Sequence, residues 1–556
     1  MATKGAKILV ETPIEEGTEV IFGYPGGAVL PLFDALYEAP IRFVLVRHEQ
    51  AAAHAADGYA RATGRVGVCI ATSGPGATNL TTGIATANMD SIPVVAITGQ
   101  VKTHLIGNDA FQEADTTGIT RSITKHNYLV KDIHDLARTI KEAFHIARTG
   151  RPGPVVVDVP VDITMAELEG EVDKRIRLPG YKPRVEGHPR QIRLAAAALN
   201  EAQRPVLFVG GGVILSNASE EVRQLAETAN APVTMTLMGL GAFPGDHALS
   251  LGMLGMHGTP AANYAVTESD LVFAIGARFD DRVTGRIDAF APSAKVVHID
   301  VDPSSISKTV HVDIPVVGDA GQILRELLPH VRHGARDAWH AQIAEWKQKH
   351  PLSYNGDGGA IKPQAVIQEL CRIVPEDTII TTEVGQNQMW TALWYTFRKP
   401  RTLLTSGGLG TMGFGFPAAL GAQAAWPDRL VIDIAGDGSI QMNIQELATV
   451  VQHKLPVKVL ILNNGYLGLV RQWQELFYKK RYSHSQMMNP DFVKVAEAYG
   501  ACGLRVTEPK DLHGALDEMI RTKGPVFLDV VVAPEENVFP IVPAGEANNR
   551  MLRGLA

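Results

Sequence analysis

The chain has 556 residues, 45% of them hydrophobic, and a formal net charge of −7 at pH 7. This length predicts roughly three to four domains of about 150 residues, each able to bury its own core. The negative charge, with no clustered basic tract, argues against a nucleic-acid partner, and no apolar run reaches the roughly 18 residues of a membrane span.

Three cysteines, Cys69, Cys371 and Cys502, lie far apart and form no metal or disulfide pattern. We interpret them as buried thiols in a reducing compartment. The N-terminal residues lead into an amphipathic helix that contains Glu11, Glu15 and Glu16. This pattern fits neither a signal peptide nor an acid-poor transit peptide. We therefore expect a cytoplasmic protein.

Residues 1–166 alternate helical segments with short apolar strands at 20–22, 43–46, 66–70, 94–97 and 155–159. Strands that alternate with helices in this way predict a parallel α/β sheet. A charged, proline-dotted stretch at 167–193 predicts a linker. The segment Gly153-Pro154-Val155 recurs as Gly524-Pro525-Val526 near the C-terminus. This repeat indicates that the first and last domains are copies of one fold.

Residues 194–332 form the predicted middle domain, with strands at 205–209, 271–275 and 296–300. The first of these strands runs into Gly210-Gly211-Gly212, which predicts a six-stranded nucleotide-binding arrangement, although a plain turn explains a lone glycine triplet equally well. A hydrophilic linker at 333–359 and a third domain at 360–556 complete the predicted organisation.

The third domain contains an apolar strand at 430–435 that ends in Gly436-Asp437-Gly438-Ser439, and a second strand at 457–462 that ends in Asn463-Asn464. Asn443 and Glu446 predict a capping box at the start of the helix between them. In such a βαβ unit the carboxyl ends of the strands lie side by side, so Asp437 and Asn464 are expected to meet. A carboxylate and an amide oxygen suit Mg²⁺ that also binds phosphate. The spacing matches the signature of thiamine diphosphate sites.

A second group of residues follows a strand of the first domain, in Arg47-His48-Glu49-Gln50. Thiamine diphosphate loses its C2 proton to its own 4′-nitrogen, and a carboxyl group at the pyrimidine N1′ favours the tautomer that does so. Glu49 is the candidate for this carboxyl. The alternative is a glutamate that the dipole at a helix N-terminus favours. Tyr24-Pro25-Gly26-Gly27 and the stretch at 73–79 support the cofactor interpretation.

With these motifs in place, the chain resembles the catalytic large subunits of the acetohydroxyacid synthase (acetolactate synthase) family over essentially its whole length. The match also includes Phe111-Gln112-Glu113-Ala114-Asp115, Leu254-Gly255-Met256-His257-Gly258, Arg278-Phe279-Asp280-Asp281-Arg282, the stretch at 407–413 and Gln472-Trp473-Gln474. The resemblance implies an α/β protein of three doubly wound parallel-sheet domains, with two thiamine-diphosphate-binding domains that flank a central FAD-binding, Rossmann-like domain.

The resemblance also implies roles for residues at the thiamine site. Glu49, Gln112 and Met412 are the implied catalytic residues, with a methionine of the hydrophobic core as the alternative for Met412. Asp437, Asn464 and the carbonyl of Tyr466 are the implied Mg²⁺ ligands. The full set implied to contact thiamine diphosphate is Tyr24, Pro25, Gly26, Glu49, Pro75, Asn79, Gln112, Val384, Gly385, Gln386, Asn387, Gly410, Met412, Gly436, Asp437, Gly438, Ser439, Asn464, Tyr466, Leu467, Gly468 and Leu469.

In the middle domain the resemblance implies an FAD that takes no redox part in the main reaction. Its implied site comprises Gly210, Gly211, Gly212, Thr236, Leu237, Met238, Leu254, Gly255, Met256, His257, Gly276, Arg278, Asp280, Arg282, Asp300, Val301, Asp319 and Ala320. The implied substrate contacts are Gly27, Ala28, Phe111, Arg278, Leu469 and Trp473. A guanidinium binds a carboxylate through two parallel hydrogen bonds, which suits a 2-ketoacid. A surface ion pair of Arg278 with Asp280 or Asp281 is the alternative.

The implied reaction is decarboxylation of pyruvate and transfer of the hydroxyethyl carbanion to a second 2-ketoacid, the first common step toward branched-chain amino acids. The implied assembly is a homodimer with shared active sites, or a tetramer, with a regulatory small subunit. Two alternatives stay open: another thiamine carboligase or oxidase of the same plan, and a non-catalytic cofactor-binding protein. Val161 stands where many relatives have lysine, Asn387 where they often have histidine, and Leu469 where methionine is common.

Overall fold

The structure is a computed structural model that describes residues 2–356 and 359–554. Residues 1, 357–358 and 555–556, at the edges of the predicted first domain, second linker and third domain, lie outside the described residues. Within the described part, three parallel six-stranded sheets follow one another along the chain, each with helices against it. This confirms the predicted α/β class with three domains.

The first sheet has the strand order β3-β2-β4-β5-β7-β6. A two-stranded antiparallel pair, β1 with β8, joins the N-terminus to the start of the predicted first linker. The strands are β1 (Thr3–Lys4), β2 (Val20–Gly23), β3 (Arg42–Leu45), β4 (Gly67–Ala71), β5 (Val94–Gln100), β6 (His126–Leu129), β7 (Val155–Pro160) and β8 (Glu167–Leu168). The helices are α1 (Gly5–Glu15), α2 (Leu30–Tyr37), α3 (Glu49–Thr63), α4 (Pro75–Asn79), α5 (Thr81–Asp90), α6 (Thr116–Thr120), α7 (Ile133–Arg148) and α8 (Val161–Met165).

The middle sheet has the order β11-β10-β9-β12-β13-β14, which is the 3-2-1-4-5-6 order of a dinucleotide-binding fold. Its strands are β9 (Pro205–Val209), β10 (Val233–Met235), β11 (Ser250–Met253), β12 (Leu271–Ile275), β13 (Lys295–Asp300) and β14 (Ile314–Val317). Its helices are α9 (Pro189–Glu201), α10 (Gly211–Leu215), α11 (Ser219–Ala229), α12 (Pro260–Glu268), α13 (Asp281–Thr284) and α14 (Ala320–Leu327). The predicted six-stranded arrangement is therefore confirmed.

Both predicted linkers contain regular structure. Helix α9 begins at Pro189, inside the stretch predicted as 167–193, because its apolar face packs Ile192 into the middle core. Helix α15 (Asp337–Lys349) lies inside the stretch predicted as 333–359. Its Trp339 and Ile343 are buried against the middle sheet, and the Trp339 indole donates a hydrogen bond to the Pro205 carbonyl at 3.1 Å. The prediction placed these residues in linkers because both stretches are rich in hydrophilic residues and only a few of their apolar side chains face the core.

The third sheet has the order β16-β15-β17-β18-β20-β19. Its strands are β15 (Ile379–Thr382), β16 (Leu403–Leu404), β17 (Val431–Gly436), β18 (Lys458–Asn463), β19 (Cys502–Val506) and β20 (Val526–Val531). Its helices are α16 (Pro363–Ile373), α17 (Gln386–Trp394), α18 (Gly415–Ala425), α19 (Leu447–Gln452), α20 (Gly468–Phe477), α21 (Phe492–Ala498) and α22 (Leu512–Arg521). Counted from the first strand of each sheet, the order equals that of the first domain, which confirms the two copies.

Helices α3 and α18 join the first and third domains through small residues. A Cβ atom on Gly58 would lie 2.6 Å from the Cα of Ala418, and one on Gly421 would lie 2.7 Å from the carbonyl carbon of Ala55. The two backbones can approach this closely only because neither glycine has a side chain. Across the described residues no helix has the length and apolar content to cross a membrane.

Candidate active site

A small cavity of about 60 Å³ opens at the carboxyl edge of the third sheet, where β15, β17 and β18 end. Residues from these strand ends and from the loops that follow them line it, as open parallel sheets predict. The predicted thiamine contacts that border this cavity are Val384, Gly385, Gln386, Asn387, Met412, Gly436, Asp437, Gly438, Ser439, Asn464, Tyr466, Leu467, Gly468 and Leu469. Trp390, Leu462 and Val470 also line it and were not predicted.

Asp437 and Asn464 meet at this cavity. The Asp437 carboxylate accepts hydrogen bonds from the Gly465 N–H at 2.8 Å and from the Asn489 amide at 2.6 Å. Burial raises the pKa of Asp437 to about 6, and the hydrogen bonds oppose that shift only in part. A cation at this carboxylate would offset the cost of burying its charge, so the oxygen donors fit Mg²⁺. Asn489 carries no spacing signal in the sequence, and the prediction missed it.

The predicted capping box between the two strands is wrong. The segment after Ser439 forms two short 3-10 turns, at Ile440–Met442 and Ile444–Glu446, before α19 begins at Leu447. The Asn443 side chain makes no cap hydrogen bond and instead donates to the Gly413 carbonyl at 2.6 Å. Glu446 is fully buried and accepts from the Arg47 N–H of the first domain. Both residues satisfy distant backbone groups, which no local pattern reveals.

The loop that carries Gly410 and Met412 is anchored on two sides. From the first domain, the Asp90 carboxylate accepts hydrogen bonds from the N–H groups of Gly407 and Gly408 at 3.1 and 2.7 Å. From the third domain, the buried Glu383 carboxylate accepts from the Gly413 N–H at 2.6 Å and from the Phe416 N–H at 3.1 Å. Residues of the first and third domains therefore both restrict the backbone of this loop. Gly410 lines the larger cavity described below and not the 60 Å³ one.

Glu383 has a second buried carboxyl for a neighbour. Asp433 accepts a hydrogen bond from the Thr381 hydroxyl at 2.9 Å, and its other oxygen has no partner among the described residues. Burial raises the pKa of both carboxyls, and the charge of Glu383 raises that of Asp433 further. The two carboxyls therefore resist holding two negative charges together.

The first-domain residues predicted for thiamine form a separate group. Glu49 is the first residue of α3, is half-buried, and accepts a hydrogen bond from the Asn79 amide at 2.9 Å. Gly74 and Gln112 both have positive φ, 58° in each case, and pack backbone to backbone. None of the first-domain contacts, Tyr24, Pro25, Gly26, Glu49, Pro75, Asn79 and Gln112, lines the cavity at Asp437. In the described chain these residues and the lining of the cavity at Asp437 are therefore two separate groups.

A larger cavity of about 540 Å³ lies where the three domains meet. Of the predicted FAD contacts, all but Gly210 and Gly255 line it. Gly210 instead packs against Ala277, and Gly255 takes φ of 105° with its N–H bound to the Asn263 amide oxygen at 2.8 Å. The prediction missed the lining from the other two domains: Met89, Asp90, Ser91, Arg148, Thr149, Gly150, Arg151, Pro152, Gln388, Met389, Ser406, Gly407 and Gly408.

Arg278, Leu469 and Trp473 also border the larger cavity. The Arg278 guanidinium forms no hydrogen bond or ion pair with the described residues. Its charge acts on the buried Asp280 carboxyl, the N-cap of α13, and opposes the rise in pKa that burial causes there, while Asp281 lies 3.8 Å from Arg282. The surface ion pair considered for Arg278 is therefore absent from the described part of the chain. A guanidinium without a protein partner is available to a carboxylate ligand.

Trp473 lies on α20, and the centroid of its ring is 6.0 Å from the guanidinium carbon of Arg282. Its indole N–H has no hydrogen-bond partner among the described residues. Leu469 borders both this cavity and the one at Asp437, so it separates the two. The remaining predicted substrate contacts, Gly27, Ala28 and Phe111, lie in the first domain and line neither cavity. Phe111 is 89% exposed.

Comparisons with known proteins agree with this architecture. Residues 3–119, 192–327 and 383–530 match, in turn, the N-terminal TPP binding domain, the central domain and the C-terminal TPP binding domain of the thiamine pyrophosphate enzymes. A probable acetolactate synthase large subunit of Methanocaldococcus jannaschii is 52% identical over 98% of this chain and 94% of its own length. The acetolactate synthase large subunit of Buchnera aphidicola and the isozyme 3 large subunit of Escherichia coli are each 50% identical, over 98% of both chains. The chain therefore belongs to the acetolactate synthase large-subunit family of thiamine pyrophosphate enzymes.

Proposed function

We propose that this chain decarboxylates pyruvate and joins the remaining two-carbon unit to a second 2-ketoacid. Pyruvate as acceptor gives acetolactate and 2-ketobutyrate gives acetohydroxybutyrate, the first common step of branched-chain amino-acid biosynthesis. Thiamine diphosphate, when bound, supplies the carbanion chemistry and accepts the electron pair that loss of CO₂ releases. The chain's own residues bind the reactants, hold the proton that activates the cofactor and choose the acceptor.

At the third sheet, Asp437, Asn464 and the Tyr466 carbonyl would hold Mg²⁺ and, through it, the diphosphate. The supporting observation is the buried Asp437 carboxylate, whose pKa burial raises to about 6, because a bound cation would offset the cost of burying its negative charge. Glu49 would hold a proton at the pyrimidine nitrogen. Arg278 would bind the substrate carboxylate with a guanidinium that no described residue occupies. The indole of Trp473 would contact the acceptor.

The cavity of about 540 Å³ would hold FAD. Its lining combines the glycine turn after β9 with Asp300 and Asp319, at the ends of β13 and β14. Ligands bind at this carboxyl edge in folds with this strand order. The absorption spectrum of the purified protein tests this assignment, and a colourless protein that binds no added flavin would contradict it.

The observation that carries the proposed site is the separation of its two halves. Glu49 and Asp437 lie in one chain, yet no first-domain thiamine residue lines the cavity at Asp437. We infer that two chains pair so that Glu49 of one completes the site at Asp437 of the other. Large apolar side chains of the first domain, including Phe111 at 89% and Leu30 at 59% exposure, support such a covered surface. We further propose that these dimers can pair into a tetramer, that a small regulatory subunit binds them, and that the enzyme acts in the cytoplasm.

Mixing two inactive variants tests the shared site. Glu49→Gln and Asp437→Ala each damage one half, so hybrid dimers contain one site with both halves intact. Activity should rise after subunit exchange, to about a quarter of wild type at equal mixing if exchange is random, and purification through two different tags should isolate the active hybrid. Glu49→Gln mixed with Gln112→Ala is the matched control, because both changes lie in the same half. Equal activity in both mixtures would reject the shared site.

A further inference from the structure

Glu446 occupies an interdomain contact that the reaction described above does not use. Its side chain is fully buried, and both carboxylate oxygens face the backbone N–H of Arg47, at 3.0 and 3.2 Å. The Thr449 hydroxyl donates to the same carboxylate at 2.6 Å. Burial raises the pKa of Glu446 to about 7. Burying a carboxyl group costs free energy, and the main-chain groups outside its own segment that offset this cost are the N–H groups of Arg47 and His48.

Arg47 lies two residues before Glu49, in the turn between β3 and α3. The next residue, His48, is the N-cap of α3 and accepts a hydrogen bond from the Gln50 N–H at 3.1 Å. Because Glu49 is the first residue of α3, this short turn sets the position of its backbone, while the Asn79 amide holds its carboxylate. Arg47 lies after the end of β3 and before the start of α3, so its N–H takes no part in the regular hydrogen bonds of the strand or the helix.

The same third-domain segment has a second contact with the first domain. The Leu45 N–H donates to the His453 imidazole at 3.0 Å, just after α19 ends. This bond attaches the segment to the last residue of the edge strand β3, which lies further from Glu49 along the chain than Arg47 does. The Thr449 hydroxyl also lies 3.3 Å from the Leu45 carbonyl, and the Arg47 guanidinium donates to the Gln452 side chain. Among these contacts, His453 accepts from the strand, and Glu446 accepts from the backbone of the turn that leads to Glu49.

We propose that Glu446 is a positioning residue for the reaction, which fixes the Glu49 side chain by holding the backbone of Arg47. The proposal rests on the proposed role of Glu49. Its carboxylate touches neither the cavity at Asp437 nor the larger one. Glu446 therefore acts through the β3–α3 turn alone, and its loss should slow proton removal from the cofactor without weakening the cofactor's diphosphate site.

Three variants test this: Glu446→Ala, the conservative Glu446→Gln, and His453→Ala as a control at the same contact. The first readout is the rate at which C2 of bound thiamine diphosphate exchanges its proton for deuterium, measured by quenching and NMR. Glu446→Ala should lower this rate by about tenfold or more, toward the 10²- to 10⁴-fold that loss of a positioned acid–base group costs. Glu446→Gln keeps one acceptor oxygen and should retain most of the rate. His453→Ala should leave it unchanged, even if the protein melts earlier.

The second readout needs no cofactor. Amide hydrogen exchange at Arg47 and His48 in the apo-protein, followed by peptide mass spectrometry, should accelerate in Glu446→Ala and stay slow in His453→Ala. Thiamine diphosphate affinity should change by less than about threefold, since the altered residue lines neither cavity. If Glu446→Ala does not fold, Glu446→Asp, which draws the carboxylate back by one methylene, replaces it in both assays.

A normal C2 exchange rate in Glu446→Ala, or an equal loss in His453→Ala, would overturn the proposal. Glu49→Gln serves as the reference. If that variant itself exchanges C2 normally, the proposed role of Glu49 fails. The amide exchange at Arg47 then decides alone whether Glu446 holds the turn.

Discussion

Replacing Gly421 by alanine tests the contact that joins α3 to α18. In an unobstructed helix, alanine in place of glycine stabilises by about 0.5–1 kcal/mol. At Gly421, however, the new Cβ would lie 2.7 Å from the carbonyl carbon and 3.0 Å from the Cα of Ala55, which are backbone atoms that no rotamer change can move. Overpacking of this kind costs about 1–3 kcal/mol. The upper end applies here, so we expect a net destabilisation of about 2 kcal/mol.

Gly514 supplies the matched control. It lies inside helix α22, and no atom lies within 4 Å of the position its Cβ would occupy. Gly514→Ala should therefore raise the melting temperature of the apo-protein, whereas Gly421→Ala should lower it by about 5 °C, using 2–4 °C per kcal/mol for a domain of this size. Differential scanning calorimetry of both variants measures this. If Gly421→Ala melts at or above the wild-type temperature, the close contact of α3 with α18 does not exist as described.

Three further predictions concern the sites themselves. Asp433→Asn should flatten the pH dependence of stability. In the folded wild type the pKa of Glu383 and of Asp433 is raised, so the free energy of unfolding falls as pH rises from about 4, the unfolded value, through the folded values. Melting temperatures of the apo-protein at pH 5 and 8 measure this, and an equal difference between the two pH values in variant and wild type would contradict it. Arg278→Lys should raise the KM for pyruvate by about tenfold or more, because a charge-assisted hydrogen bond worth about 1.5–3 kcal/mol is lost, with no change in melting temperature. An unchanged KM would exclude this guanidinium as the carboxylate site. Trp473→Leu should lower the preference for 2-ketobutyrate over pyruvate as acceptor by about tenfold, since one methylene in an apolar pocket is worth about 1–3 kcal/mol. The ratio of the two products measures it, and an unchanged ratio in a variant that only melts earlier would make Trp473 a packing residue.

Local sequence patterns predicted the features that depend on strand ends. Asp437 and Asn464 meet because both follow parallel strands of one sheet, and the repeat at Gly153 and Gly524 identified two domains that share one strand order. Strands β16 and β6 were not predicted because neither contains an apolar run. Strand β16 has only two residues, and β6 begins with His126 and Asn127.

Contacts between distant residues could not be predicted. Glu446 resembles the second half of a capping box, yet its partner is the Arg47 N–H, 399 positions away. Asn489 reaches Asp437 from a loop without any recognisable spacing, and Asp90 reaches Gly407 and Gly408 from another domain. In each case a buried polar group satisfies backbone or side-chain partners that only the folded chain brings near, so hydrogen-bond demand, and not sequence pattern, decides the outcome.

The cavity of about 540 Å³ has walls from all three domains, with Arg151 from the first, Asp300 from the middle and Gly408 from the third. Any ligand that fills it contacts three domains at once, so its binding free energy adds to the free energy that stabilises the arrangement of these domains. The melting temperature should then rise with the concentration of that ligand. Emptying the cavity amounts to weakening an interface inside the chain, so the FAD proposed to fill it would stabilise the arrangement of the three domains without exchanging an electron.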